Sequence, residues 1–420
     1  MQSHQEHNVY PFETHGISLE QIDPDALYIM EKLRSAGFVA YLVGGGVRDL
    51  LLKHTPKDFD ISTSAEPEQV KKLFRNCILI GRRFRLAHVR FGKKVIEVAT
   101  FRSGDPENDA LILRDNQWGT PQEDALRRDF TINGLFYDPS DQTLIDYVGG
   151  YTDIQGRMIR TIGQPFLRFR QDPVRMIRLL KFQARFGLEV DPSARIALLE
   201  NRGEIVKSSP NRVQEELLRM LESGAAKPFF KLLTEHGMLH LLMPLLGEYL
   251  ESPEGEGVFP YLQEIDTTFH APDNPRLDRA LLLASLIFPL LEKRITIHYS
   301  DRERVPHLGE ILDEVNHLLS EIFNPFLNLP RRLRGSLAAV LTAQYRLTPL
   351  EKRKHRKLRV PHDADFPLAV QFLQLRACLE PALQATCQEW QEALTHAELP
   401  SAAPPRRRRR TRRRKPSDTP

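Results

Sequence analysis

Residues 42–63 read LVGGGVRDLLLKHTPKDFDIST, and no other run limits the local fold as tightly. A strand leads into a glycine turn, Gly44–Gly46, which opens a helix; a short strand carrying Asp58 and Asp60 follows. The glycines let backbone N–H groups approach a ligand closely, and a helix N-terminus favours negative charge. Residues i and i+2 of a strand face the same way, roughly 6–7 Å apart, with Phe59 on the opposite side. Two carboxylates so placed can share a pair of Mg²⁺ ions, which activate an attacking hydroxyl and steady a leaving pyrophosphate. A lone D-x-D is more often a loop of solvated acids. GGGVRD just upstream turns the reading toward nucleotidyl transfer.

The flanking pattern fixes the fold class. Asp23-Pro24-Asp25 is a helix start, and Ala26, Ile29, Met30 and Leu33 follow at helical spacing. Strands are expected at 38–43, 57–62, 78–80, 87–91 and 95–101, with helices at 47–53 and 67–74. This alternation makes an α/β head. Beyond residue 150 strand signals nearly vanish. Helices are expected at 173–186, 213–221, 226–242, 279–291, 308–322 and 367–394, with loops at 253–260 and 301–306. The chain thus reads as an α/β head followed by an all-α part, in five segments. Residues 1–20 are a loose N-terminal segment in which Gly16-Ile-Ser-Leu19 can dock, 21–150 the head, 151–225 a helical neck, 226–398 a helical body and 399–420 a disordered tail.

Charge is unevenly spread. The net charge is +4, yet nine basic residues lie between Arg406 and Lys415, so residues 1–405 sum to −4. The tail suits non-specific contact with nucleic-acid phosphates. Cys77, Cys378 and Cys387 have neither metal nor disulfide spacing, which points to a reducing compartment. The N-terminus lacks the apolar core of a secretory signal and no apolar run reaches membrane-spanning length, so a cytoplasmic location is expected.

Four further groups carry candidate chemistry. Glu97 sits among strand residues, and a buried carboxylate there needs a cation: an ion pair with Arg102 or Arg128, or a metal. Gly81-Arg-Arg-Phe-Arg-Leu-Ala-His88 offers Arg82, Arg83 and Arg85 to triphosphate or RNA, with Phe84 to pack or stack; the alternative is a solvated turn. His88 reads as a packed strand residue, because no second histidine lies at ligand spacing. Arg127, Arg128 and Asp129 precede an apolar Phe-Thr-Ile run; Arg128 can grip phosphate and Asp129 can bond a ribose hydroxyl. Asp172-Pro173 starts a helix, with Asp172 as its cap. The spacing puts Asp172, Arg175 and Arg178 on one face, where donor and acceptor groups can read a base edge.

Together these residues resemble the class II nucleotidyltransferases of the DNA polymerase β superfamily, which include tRNA CCA-adding enzymes and bacterial poly(A) polymerases. The resemblance runs from Gly16 to Leu221, with the motifs in family order. It implies a polymerase β-like head. It also implies that Gly44, Gly45, Arg48 and Asp49 hold the triphosphate, that Asp58 and Asp60 bind Mg²⁺, and that Arg127, Arg128 and Asp129 meet sugar and phosphate. Asp129 is counted with the catalytic set. The base-reading E-D-x-x-R motif is Gln171-Asp172-Pro-Val-Arg175 here, with its glutamate replaced. Lys72–His88, Ile96–Arg102, Leu329–Arg332 and the arginine-rich end look like the poly(A) polymerase branch.

The implied reaction is template-independent transfer of AMP from ATP to RNA 3′ ends, with Mg²⁺ on Asp58 and Asp60; Glu97 is the candidate third metal ligand. Single-stranded RNA with little sequence preference and ATP are the implied partners. Protein partners, the RNA-decay machinery among them, leave no signature in the residues. A CCA-adding enzyme is the near rival, and a non-catalytic RNA-binding protein the distant one. His362-Asp363, in a Pro-flanked loop, gives no phosphohydrolase site.

Overall fold

A computed structural model describes residues 7–81, 86–104, 117–273, 276–300, 305–350 and 358–397. The expectations for Arg82, Arg83, Phe84, Arg85 and the arginine tail lie outside the described residues.

The strands of the head sheet are β1 (Asn8–Tyr10), β2 (Ala40–Val43), β3 (Asp60–Thr63), β4 (Cys77–Ile80), β5 (Leu86–Phe91), β6 (Lys94–Thr100), β7 (Leu135–Asp138) and β8 (Thr143–Asp146). They lie in the order β1-β8-β7-β2-β3-β6-β5-β4. The outer strands β4, β5 and β6 alternate in burial, whereas the central β3, β7 and β8 are covered on both faces. The β3–β6 pair is parallel and the others antiparallel. On β2 and β7 the period of two sorts side chains between faces. Ala40, Leu42, Leu135 and Tyr137 enter the main core, while Val43 and Phe136 join Phe101, Ala125 and Ile145 in a second cluster.

The head helices are α1 (Phe12–His15), α2 (Pro24–Ser35), α3 (Gly45–Leu51), α4 (Pro67–Leu73), α5 (Pro121–Leu126) and α6 (Gly150–Gln155). In α2 the Asp23 carboxylate accepts from Asp25 N–H at 2.9 Å, and Ala26, Ile29, Met30 and Leu33 are buried, as their spacing predicts.

The segment expected to be loose at 1–20 is not so over its described part. Asn8–Tyr10 completes the sheet edge against β8. Ile17 is buried, and its carbonyl accepts from Tyr137 Oη at 3.4 Å. A polar three-residue edge strand carries no hydrophobic periodicity, so only its pairing reveals it.

The remainder is helical: α7 (Pro165–Gln171), α8 (Val174–Phe186), α9 (Pro192–Asn201), α10 (Pro210–Leu221), α11 (Ala226–Glu235), α12 (Met238–Leu242), α13 (Pro244–Glu251), α14 (Val258–Phe269), α15 (Arg279–Ser300), α16 (Leu308–Phe323), α17 (Arg331–Leu347), α18 (Phe366–Leu379) and α19 (Gln384–His396). A short parallel pair, β9 (Met158–Ile159) with β10 (Glu189–Val190), pins the start of this part. The helix expected at 226–242 breaks at Gly237, whose φ of 66° ends α11. The one expected at 367–394 breaks ahead of Pro381, which has no N–H to donate. The loop expected at 253–260 is a 3₁₀ turn running into α14. One continuous core joins the head to the helices as far as Leu375, while Leu347, Phe366 and Trp390 anchor a small C-terminal cluster.

Asp146 ties the sheet to α6. Its Oδ1 accepts from the N–H groups of Val148, Gly149 and Gly150 at 2.9–3.1 Å, and its Oδ2 from that of Tyr151 at 3.0 Å. Asp146→Ala leaves several buried donors unpaired. It should destabilise the fold by about 2 kcal/mol or more, read as a lower thermal midpoint, whereas Asp141→Ala at the exposed turn should change it far less.

Candidate active site

The glycine turn takes the form its sequence requires. Gly44 caps α3 with φ 67°, and a Cβ there would lie 3.0 Å from Arg128 Nη1. Gly46 lies against the Asp58 carbonyl, where an added Cβ would meet it at 3.3 Å. The turn, the aspartates and the R-R-D segment therefore meet at one point. They line a cleft of about 2080 Å³ whose opposite wall is α8 and α10.

Asp60 is the first residue of β3 and Asp58 precedes the strand, where it is exposed. The strand expected from Lys57 thus starts three residues late. Burial, with Glu97 and then Asp58 close by, pushes the Asp60 carboxyl up to about 6, although Arg128 and Arg48 pull it down. Glu97 is not the buried carboxylate expected. Its side chain is 49% exposed on β6 and faces His88 across the ladder, Oε1 to Nε2 3.4 Å. His88 is a strand residue of β5 with a side chain only 19% exposed, as expected, and it also borders the cleft. Among the described residues no three His, Cys, Asp or Glu side chains converge closely enough to hold a metal as they stand.

Arg128 is held from below. Its Nη2 donates to Asp124 Oδ2 at 2.8 Å and to Ser62 Oγ at 3.3 Å, and the guanidinium lies 5.3 Å from the Phe136 ring. Burial raises the Asp124 carboxyl, but Arg128 and Arg127 outweigh it and the net shift is downward. Asp124 is thus a charged anchor that fixes both arginines.

Asp129 differs from the expectation. Its Oδ1 accepts from Phe130 N–H and Asn133 Nδ2, both at 2.9 Å, and its Oδ2 accepts from Arg178 Nε at 2.7 Å. Burial alone would raise this carboxyl, yet Arg178 and the hydrogen bonds hold it far below the usual range. Both oxygens serve the protein, so Asp129 positions Arg178 on α8. Arg48, implied to hold triphosphate, is also committed inside the fold. It donates to Asp49 and, through Nη1, to Asn133 Oδ1 at 2.6 Å, and it lies 4.6 Å from the Phe182 ring. Asp49 in turn accepts from Arg185 of α8 at 2.9 Å.

The base-reading residues are also rearranged. Asp172 ends α7 and makes no side-chain cap for α8. Its two oxygens accept from Arg212 of α10 at 3.0 and 2.7 Å. A carboxylate is drawn to a guanidinium fork more strongly than to a neutral backbone donor. Arg175 is buried, and its Nη1 donates to the Arg168 carbonyl at 3.1 Å. Arg175 and Arg178 both reach the cleft wall. Gln171, where the family has glutamate, accepts from Arg168 Nη1 at 2.9 Å.

Sequence reasoning missed Arg168, Asn133, Asp124 and Arg212. Arg168 is buried and donates to the carbonyls of Arg127 and Arg128 at 2.7 and 2.6 Å. Burial, with Arg175 nearby, lowers its pKa to about 9. An arginine inside a short apolar helix, as in Pro165-Phe-Leu-Arg-Phe169, was the available signal.

Residues 40–160 match the family described as "Poly A polymerase head domain", and residues 187–250 match "Probable RNA and SrmB- binding site of polymerase A". The chain is 39% identical over 413 residues to poly(A) polymerase I of Escherichia coli O6:H1, covering 91% of this chain and 85% of that one. Its match to the CCA-adding enzyme of Bacillus velezensis is 33% over 244 residues, 58% of this chain and 61% of that one. Among solved structures, the Bacillus stearothermophilus CCA-adding enzyme in complex with CTP superposes with a TM-score of 0.61 at 26% identity, covering 88% of this chain and 83% of that one. Fold and cleft thus define a nucleotidyltransferase with a polymerase β-like head. The chain belongs to the poly(A) polymerase I family, the template-independent RNA adenylyltransferases; no described helix is long and apolar enough to cross a membrane.

The raised Asp60 has a stability consequence of definite sign. Its folded value near 6 exceeds the ordinary 3.8, so protonation favours the fold in full below about pH 4 and this contribution is lost as pH rises through 6. Above that the ionised carboxylate is a net cost. Asp60→Asn should therefore raise the thermal midpoint of metal-free protein at pH 7–8, by on the order of 2 kcal/mol, and the difference should close below about pH 4.

Proposed function

We propose that ATP lies in the cleft between the head sheet and α8, and that the residues around Asp58 and Asp60 transfer its AMP to an RNA 3′-hydroxyl. The RNA 3′-oxygen attacks the α-phosphorus and the bond to pyrophosphate breaks. The observation that carries this reading is the arrangement of charge across one cleft. Asp58, Asp60 and Glu97 share one wall, where burial first and the neighbouring carboxylates second raise the Asp60 pKa, and Arg128, Arg175 and Arg178 stand around it.

The donor set fits Mg²⁺ in kind, since all three groups offer hard carboxylate oxygens. Asp58 and Asp60 would hold the ion; Glu97 joins only by leaving His88. Bound there, Mg²⁺ supplies charge neutralisation and polarisation at the reacting phosphate. The chain's own residues do the rest. Gly44–Gly46 bring backbone close to the triphosphate, with Arg128 fixed directly over the turn. Asp129 aims Arg178 and Asn133 steadies Arg48, so the cationic wall is set before substrate arrives. Arg175 and Asp172 border the space for the base. Asp172 must share Arg212 to accept from an adenine amino group. The helical part beyond α10 offers the surface for RNA. Location in the cytoplasm agrees with these substrates.

A nucleotide panel tests the reading. ATP should be added repeatedly to unstructured RNA and CTP poorly. Two C residues and one A on a truncated tRNA, with no extension of generic RNA, would favour CCA addition instead. Absence of Mg²⁺-dependent pyrophosphate release would favour a non-catalytic binder. Asp58→Ala and Asp60→Ala should each lose nearly all turnover while remaining folded, and a tenth of wild-type activity in either sinks the metal assignment. Arg175→Ala should lower both the rate and the preference for ATP over CTP, the latter by about 1–3 kcal/mol. Because a metal must displace the Asp60 proton, Mg²⁺ affinity should weaken as pH falls below about 6.

A further inference from the structure

The cleft does not end at the nucleotide. Past α10 it continues to the turn between α10 and α11, to the C-terminal end of α14, and to Arg276 ahead of α15. Phe269 and His270 stand at this far end. Their rings meet edge to face at 5.2 Å. Phe269 is half-buried and His270 exposed. Both rings open on the same polar cleft that Arg276 borders.

The pair is rigidly seated. Asp266, one turn earlier on α14, accepts from the first N–H groups of α11, Ala226 at 2.7 Å and Lys227 at 2.9 Å. The His270 ring bonds the Gly224 carbonyl at 3.0 Å. Gly224 has φ 74°, and a Cβ there would fall 2.3 Å from Phe269 and 2.7 Å from His270. The glycine thus provides both the turn and the room for the rings. Arg276 is exposed at the same part of the cleft; Arg219, also exposed, donates through Nε to Glu215 at 3.2 Å and keeps its outer guanidinium edge toward the cleft, while Arg279 pairs with Glu215 and Glu222.

We propose that Phe269 and His270 form a stacking platform for bases of the RNA strand just upstream of its 3′ end, with Arg219 and Arg276 contacting the phosphates. This rests on the adenylyl-transfer reading above. The argument is physical. A strand whose 3′-hydroxyl reaches Asp58 and Asp60 must leave along the cleft, and the far end supplies what sequence-independent single-strand binding uses: aromatic faces beside cations. Every base has a π-face, so such a platform accepts a growing homopolymer as readily as a mixed sequence. The two residues lie outside the 187–250 segment that matches the named RNA-binding family.

Phe269→Leu keeps an apolar side chain on Gly224 and removes the ring. With a short unstructured oligoribonucleotide, KM for RNA should rise about tenfold, KM for ATP should hold and kcat should change much less. Phe269→Trp should restore KM for RNA. Irradiated RNA carrying 4-thiouridine near its 3′ end should crosslink to the peptide containing Phe269 and His270. An unchanged KM for RNA in Phe269→Leu, or crosslinks only elsewhere, overturns the platform. If Phe269→Leu fails to fold, Arg276→Glu decides: KM for RNA must rise with that for ATP unaltered. Wild-type protein that extends no generic RNA defeats the adenylyl-transfer reading itself, whereas active wild type with indifferent variants defeats the platform alone.

Discussion

A single buried chain of polar contacts fixes the cleft on which the chemistry depends. Arg48 of α3 donates to Asn133, Asn133 donates to Asp129, and Asp129 accepts from Arg178 of α8. A parallel link runs from Arg48 through Asp49 to Arg185. Charges taken out of water are tolerated only when paired and hydrogen-bonded, and breaking such a pair by removing one partner costs about 3–5 kcal/mol. The head and the helical part are thereby held in one relation. The Phe182 and Phe186 rings against the Arg48 guanidinium add cation–π contacts to the same junction.

The junction also polarises the cleft. Carboxylates gather at the start of β3 and on β6, while arginines arrive from just past α5 and from α7 and α8. Each arginine is oriented by a group behind it: Arg128 by Asp124, Arg178 by Asp129. Orientation is therefore set before substrate binds, which is how fixed dipoles and charges lower a barrier without reorganising. The aspartate of the R-R-D motif commits one oxygen to the Arg178 guanidinium and the other to Phe130 N–H and Asn133. Gln171 fits the same logic. It accepts from Arg168 without adding another full charge at a junction already dense with ion pairs.

The comparisons and the cleft agree on the enzyme class, and identity is higher toward poly(A) polymerase I. Likeness to poly(A) polymerase I runs over most of the chain, whereas likeness to the CCA-adding enzyme of Bacillus velezensis covers little more than half. The fold itself is shared more widely: the CCA-adding enzyme of Bacillus stearothermophilus superposes over 88% of this chain.

The sequence by itself determined the glycine turn, the D-x-D pair, the order of motifs and the change from α/β to all-α. These are local: φ > 0 at a turn, a two-residue period and helical spacing are written in consecutive residues. Gly44 and α2 follow those rules directly. Short elements without periodicity, such as β1 and the breaks at Gly237 and Pro381, were less legible because pairing or one residue decides them. Only the tertiary structure decided which charges meet. Asp172 had a cap to make nearby and took Arg212, forty residues away, instead. Glu97 faced His88 across a ladder, and Asp129 turned inward to Arg178. A charged side chain's partner is chosen by what the fold brings within hydrogen-bond reach at low dielectric, and no spacing along the chain encodes that distance.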